Sequence, residues 1–268
     1  MNLDVTTGAE QERWVLLTEI DNVRDLGGVP VAEGGRTRFG VAFRASTLQQ
    51  GTAEDVIELV ERRRVRTILD LRLPDEAERE GHGRFTAAGL EVIGLPVRKD
   101  EDTSLDVVVP KNTDLGRTYQ QLLAGSGRSF ATAAEVIADA TRHGVLFHCA
   151  AGKDRTGVLA AVLYDALGVA PDDIVEDYAL TAEREHQIRR RLIGIPAYQN
   201  LPPVANGAMS VDTVAIRGVI ETLHEGYGGG AGYLLQHGLS EATLQRLRTV
   251  FVEPARPDDA AAPAELTR

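Results

Sequence analysis

The sequence predicts an α/β fold: a central, mostly parallel sheet flanked by helices, with a helical insertion between about residues 170 and 206. Three observations predict it. Short runs rich in β-branched residues recur at strand length, and amphipathic stretches of helix length fall between them. One of those strands, Val145 to His148, runs straight into a glycine-containing loop and a helix. The runs look like strands of a buried sheet.

Four segments read as strands: Val41 to Ala45, Val65 to Leu71, Leu90 to Leu95 and Val145 to His148. Between the first two, Thr52 to Arg64 reads as a helix, with Thr52 at the N-cap, Asp55 three residues on, and Val56, Leu59 and Val60 on one face. Further helices are predicted over Phe130 to Arg142, Thr156 to Leu167, Asp172 to Arg191, Val211 to Tyr227 and Glu241 to Val250. The C-terminal half is therefore mainly helical around an N-terminal α/β layer. With no linker or internal repeat in view, residues 1–253 read as one domain, and the Pro-, Ala- and charge-rich stretch 254–268 as a disordered tail.

Composition narrows the partners. Of the 268 residues, 43% are hydrophobic, enough for a sizeable core. The balance of 29 Lys and Arg against 40 Asp and Glu gives a net charge of −11, which argues against nucleic acid and anionic membranes as general partners. Any anion site must be local. One cysteine excludes an internal disulfide, and no run approaches the ~20 apolar residues that would insert stably in a membrane. The stretch from Met1 to Arg13 carries Asp4, Glu10 and Glu12 where a signal peptide would carry basic and apolar residues. The expectation is a soluble cytoplasmic protein, or one exported without a recognisable signal.

The chemistry concentrates in Val145-Leu-Phe-His-Cys-Ala-Ala-Gly-Lys-Asp-Arg-Thr-Gly157. Cys149 stands at the end of a strand, where loops of α/β sheets carry function. Five residues separate it from Arg155, a length that lets backbone N–H groups of Ala150, Ala151, Gly152 and Lys153 curl around a phosphate with the sulfur beneath. Gly152 relieves that curl, and the following helix points its positive end at the same place. Inward N–H groups, the helix end and Arg155 all favour a thiolate. The planar fork of Arg155 suits the equatorial oxygens of a phosphoryl transition state, which lysine would hold less well.

These residues resemble the bacterial atypical protein tyrosine and lipid phosphatases, whose active loop reads HCxxGKDRTG, a pattern met in full by His148 to Gly157. Asn22-Val-Arg-Asp-Leu-Gly-Gly28, Phe43-Arg-Ala-Ser46, Asp70-Leu-Arg72 and Asp173 to Leu180 add matches in the same order. The resemblance implies a protein tyrosine phosphatase-like fold with a helical lid over the site. It also implies hydrolysis of phosphotyrosine, with phosphoserine, phosphothreonine or phosphoinositides as further substrates, without metal or cofactor. In it Cys149 is the nucleophile that forms a phosphocysteine, Arg155 binds phosphate, and Asp154 is the general acid. Thr156 would stabilise the departing thiolate, His148 would brace the loop, and Lys153 would face the substrate. Other tyrosine phosphatases place the acid on a Trp-Pro-Asp loop, but the one tryptophan, Trp14, is followed by Val15. Asp70 is a second candidate for the acid, with Asp100 and Asp102 behind it.

Each signal has a plainer alternative. A lone cysteine is ordinarily a small buried hydrophobe, and an aspartate at a helix N-terminus is ordinarily a cap. The loop around Cys149 favours chemistry over both. A sulfurtransferase would also present a cysteine on an anion-binding loop, and a non-catalytic phosphate-binding module would share the cradle. Gly152-Lys153 lacks the flanking residues of an ATP-binding loop, and the glycines from Gly226 to Gly232 follow a helix and read as a helix-helix joint. Arg189 to Arg191 read as a solvated helix face, Arg62 to Arg64 as a basic helix end, and Arg24 with Asp25 as an ion pair or loop anchor. His82, His143, His186, His224 and His237 show no metal-ligand spacing.

Overall fold

The computed structural model describes residues 12–98, 115–204 and 209–255. Asp100, Asp102 and most of the predicted tail lie outside the described residues. The main sheet has five strands, β1 (Arg24–Asp25), β3 (Ala42–Ala45), β4 (Thr67–Asp70), β5 (Glu91–Gly94) and β6 (Val145–His148), in the order β1-β3-β6-β4-β5. Only the β1–β3 pair is antiparallel. A second, two-stranded sheet joins β2 (Arg36–Thr37) to β7 (Val252–Glu253). The register sets Ala45, His148 and Asp70 side by side at the C-terminal ends of three neighbouring parallel strands. That is the edge where ligands bind in open α/β sheets.

Side chains alternate across the sheet. Ala42, Leu69, Val145 and Phe147 join the larger core, while Phe43, Ala45, Ile68 and Leu146 join a smaller one on the other face. Thr52 caps α1 (Ala53–Val56) in the predicted capping box with Asp55, and the helix continues as a π-helical stretch, Ile57–Arg62. Helices α2 (Pro74–Glu80) and α3 (Leu115–Gly125) were not foreseen. The helix predicted over Phe130 to Arg142 begins and ends earlier, as α4 (Gly127–Ile137). The helix after the cysteine loop, α5 (Asp154–Leu167), starts two residues before the predicted Thr156 and is buried along most of its length.

The predicted single helix from Asp172 to Arg191 is instead α6 (Pro171–Ala179), a 3₁₀ segment over Leu180–Arg184, and α7 (Glu185–Leu192). The break falls where tertiary bonds compete with the helix. Arg24 Nη2 donates to the Asp177 carbonyl at 2.8 Å, and the Thr181 hydroxyl meets Asn22 Oδ1 at 3.3 Å. The solvated face expected of Arg189 to Arg191 is also corrected. Arg189 donates to the carbonyls of Leu201 and Pro202, and Arg191 pairs with Glu19 and Asp21, which leaves Arg190 as the exposed member. Arg191 ties the insertion to the body of the fold, and Arg189 fastens it internally.

Three helices complete the chain: α8 (Thr213–Tyr227), α9 (Gly230–Gln236) and α10 (Glu241–Phe251). The glycine run is a joint, as expected, but only Gly228 and Gly229 lie between helices: Gly228 closes α8 in the left-handed conformation and Gly230 opens α9. A Cβ at Gly230 would lie 2.5 Å from the Val162 carbonyl, so α9 can approach α5 this closely only with glycine there. Arg24 and Asp25 do not pair with each other. Arg24 pairs with Asp177, and the Asp25 carboxylate accepts from the N–H groups of Gly27 and Gly40, the loop anchor expected of it. Among the described residues, no helix is long and apolar enough to cross a membrane.

Candidate active site

The loop between β6 and α5 has its carbonyls tied down on the outside. The Cys149 carbonyl accepts from His148 Nδ1 at 3.0 Å, and that of Ala150 from the Thr47 N–H at 2.9 Å. Gly152 accepts from Asn22 Nδ2 at 2.8 Å and from Arg44 Nη2 at 2.9 Å, and Ala151 lies 3.4 Å from the same Asn22 amide. In a trans peptide the N–H points opposite to its carbonyl, so fastening the carbonyls outward turns the following N–H groups toward the concave side. Such a loop has the form of an anion nest. Gly152 has φ +67°, and a Cβ there would lie 2.4 Å from the Ala45 carbonyl, so only glycine fits the turn. The early Asn-Val-Arg-Asp motif thereby acquires a purpose that spacing alone did not reveal: Asn22 reaches the loop, and Arg24 holds the carboxylate that also binds Arg44.

Cys149 is 2% exposed, and the Thr156 hydroxyl lies 3.2 Å from its Sγ as donor. Arg155 makes two bonds to Glu76, of 2.6 and 3.0 Å, which hold the guanidinium plane. Glu76 was missed in the sequence, although Pro74 and the acids after it are a helix-start signal; nothing in the spacing links it to Arg155. It also accepts from the Leu73 N–H at 2.8 Å, so α2 is capped and aimed by one carboxylate. That carboxylate occupies one N–H of each Nη, leaving the remaining donors of Arg155 for an anion.

Asp154 opens α5 with its side chain 31% exposed, accepting from the Tyr119 hydroxyl at 2.6 Å. Tyr119 in turn meets the Tyr178 hydroxyl at 2.6 Å. Burial, and then the charge of Asp154, raise the Tyr119 phenol well above its ordinary value, so it stays a donor. Neither tyrosine was singled out from sequence, because both read as core aromatics. Lys153 differs from expectation. It is buried at 2%, its Nζ donates to the Ser210 carbonyl at 3.0 Å, and it lies 3.5 Å from Asp154, so here it faces the covering segment rather than an open pocket.

Asp70 is corrected as a candidate acid. Its carboxylate is 3% exposed, bonded to Arg72 Nη2 at 2.8 Å and to His82 Nε2 at 2.9 Å. Burial alone would raise its pKa; the neighbouring His148 and the bonds from His82 and Arg72 outweigh it and hold the carboxyl well below the usual range. It has no proton to give near neutrality. His148, fully buried, is pushed down to about 4, chiefly by burial and against the pull of Asp70, and so is neutral. It braces the loop, as the sequence suggested.

The nest is covered. Ile188, Leu192, Ile195, Tyr198 and Met209 cluster with Ala150 and Ala151, and the Tyr198 hydroxyl meets Glu80 at 3.1 Å. The walls that the two small alanines lack thus come from the insertion and the segment just after it.

The chain is similar to several known proteins. The chain is 29% identical over 276 residues to the triple specificity protein phosphatase PtpB of Mycobacterium tuberculosis, covering 86% of this chain and 96% of that protein. It is 36% identical over 140 residues to a tyrosine-protein phosphatase of Nostoc commune, covering 50% of this chain and 48% of the other. The core catalytic domain of the PP-IP phosphatase SIW14 from S. cerevisiae aligns at 15% identity with a TM-score of 0.36, covering 74% of this chain and 92% of that one. A sequence profile described as the tyrosine phosphatase family matches residues 15–253, nearly the whole described chain, and the chain belongs to that family.

Proposed function

We propose that this phosphatase hydrolyses phosphotyrosine in proteins through a phosphocysteine at Cys149, and that its range extends to phosphoserine, phosphothreonine and phosphoinositides. The observation that carries the reading is the Thr156 hydroxyl on the Cys149 sulfur, at the mouth of a loop whose carbonyls are all held outward. In the first displacement the thiolate attacks phosphorus, the P–O bond to the leaving group breaks, and Asp154 gives that oxygen its proton. In the second, water attacks phosphorus, Asp154 takes its proton, and the S–P bond breaks with the departing thiolate received by Thr156. Arg155, oriented by Glu76, and the N–H groups from Ala150 to Lys153 hold the phosphoryl oxygens throughout. PtpB is named a triple specificity phosphatase, which supports the wider range.

The test is phosphate release from phosphotyrosine, phosphoserine and phosphothreonine peptides and from phosphoinositides, with EDTA present. Turnover on phosphotyrosine, unaffected by EDTA, is the expected result; binding without turnover would instead favour a phosphate-reading module. Asp154→Asn should slow phosphotyrosine and alkyl phosphates by about 10²-fold or more, and p-nitrophenyl phosphate, whose leaving group needs little protonation, far less. An equal loss on all of them would remove Asp154 from the acid role.

Tyr119 is a positioning residue in this scheme. Tyr119→Phe removes one donor to Asp154 and is expected to lower kcat about tenfold with KM little changed, and to shift the pH profile limb that reports the acid. A changed KM with an unmoved pH profile would mark it as structural only.

Residues up to 253 act, on this reading, as one phosphatase domain in which residues 170–206 form a lid that must open for substrate. Alkylation of Cys149 by iodoacetamide should therefore be slow and gated, and Tyr198→Ala, which removes the contact to Glu80 and part of the apolar seal, should speed it about tenfold. Fast alkylation of the native protein, unchanged in the variant, would dispose of the lid.

A further inference from the structure

We propose that Asp70, His82 and His148 form a binding site for a divalent transition metal of the zinc class, behind the phosphate loop and outside the reaction. The three residues come from the end of β4, the turn after α2 and the end of β6, so no sequence spacing announces them. One ligand atom from each lies within 4.8 Å of the others. Tetrahedral zinc with bonds of about 2.0–2.1 Å sets its ligands about 3.3 Å apart. Asp70 Oδ2 to His82 Nε2 is 2.9 Å and Asp70 Oδ1 to His148 Nε2 is 3.9 Å, on either side of that separation.

The second observation is independent of the cluster. His148 Nε2 is fully buried, with no hydrogen-bond partner among the described residues. Its Nδ1 meets the Cys149 carbonyl, which turns Nε2 away from the loop to lie 3.9 Å from Asp70 Oδ1. A carbonyl on the far nitrogen is also the support that metal-bound histidines ordinarily have. His82 is 16% exposed at its side chain and gives the site a route to solvent. Arg72 offsets the charge of Asp70, and Glu80, 3.2 Å from Arg72, is offset in turn by Arg79, so the linked group of two acids and two arginines carries no net positive charge against a dication.

The experiment uses the full chain with Cys149→Ser, which removes the thiolate as a competing ligand, and titrates cobalt(II) as the probe. Expected are the visible bands of four-coordinate cobalt without a sulfur charge-transfer band, displacement by zinc, and a rise in Tm of about 5 °C at saturating zinc. His82→Ala and His82→Gln, made in the same background, should both lose the bands and the Tm shift. Absence of the bands in the Cys149→Ser protein would overturn the site, and so would their survival in both His82 variants.

Discussion

Phosphate release by Cys149→Ser is expected to fall by at least about 10⁴-fold, while affinity for a phosphotyrosine peptide stays within a few-fold of native. The asymmetry follows from the loop. The N–H groups, Arg155 and the Glu76 carboxylate that orients it are untouched by exchange of sulfur for oxygen. What disappears is the nucleophile, since a serine hydroxyl beside Thr156 has no base to ionise it. Single-turnover phosphate release with parallel titration calorimetry separates the two effects. Turnover within tenfold of native would mean that Cys149 is not the nucleophile, and the loop would have to work through water alone.

Asp177→Asn should cost about 3–5 kcal/mol of stability and lower Tm by about 10 °C, a larger loss than any other polar substitution near the loop. One carboxylate, 2% exposed, serves three buried arginines: Arg13, Arg24 and Arg44. Arg24 is already lowered to about 10, by burial first and then by the like charge of Arg44. Burial opposes the charge on Asp177 as well, but the fields of Arg24, Arg13 and Arg44 outweigh it and hold its pKa well below the ordinary range. Because that folded-state pKa is depressed, the stability it confers is present above the unfolded value of about 4 and drains away as pH falls below it. Native protein should therefore lose stability steeply on acidification, and Asp177→Asn should show a flatter acid limb from a lower plateau. Denaturant unfolding at several pH values measures both. A change under about 1 kcal/mol at neutral pH would mean that the arginines find other partners.

How much was legible in the sequence varied with the range of the interaction. Cys149, Gly152, Arg155 and Thr156 could be read because their geometry is local, set by one strand, one tight turn and one helix end. The strands β3, β4 and β6 could be read because they are buried along their whole length, whereas the two-residue strands β1, β2 and β7 are too short to leave a pattern. Glu76 and Tyr119 could not, since each meets its partner across 79 and 35 residues respectively, and a glutamate near a helix start or a tyrosine on an apolar face looks ordinary in isolation. The Asp172 to Arg191 segment was misread for the same reason. Its periodicity is helical, and only the reach of Arg24 from β1 to the Asp177 carbonyl marks the break. Lys153 was assigned to substrate on charge alone, whereas its position is decided by the Ser210 carbonyl above it.

The order β1-β3-β6-β4-β5 has a consequence for how the chain finds this structure. Strands β3 and β4 never bond to each other; each bonds to β6, which is made last of the five and enters between them. Until Val145 to His148 arrives, the N-terminal half can form only two separate ribbons, β1 with β3 and β4 with β5. Joining them closes loops of about a hundred and about seventy residues at one step, the kind of long-range pairing that sets slow folding rates. The same insertion carries Cys149 to the end of the sheet. Completion of the fold and assembly of the phosphate loop are thus one kinetic event, and a nascent or partly refolded chain holds the thiol without the cradle that would let it react.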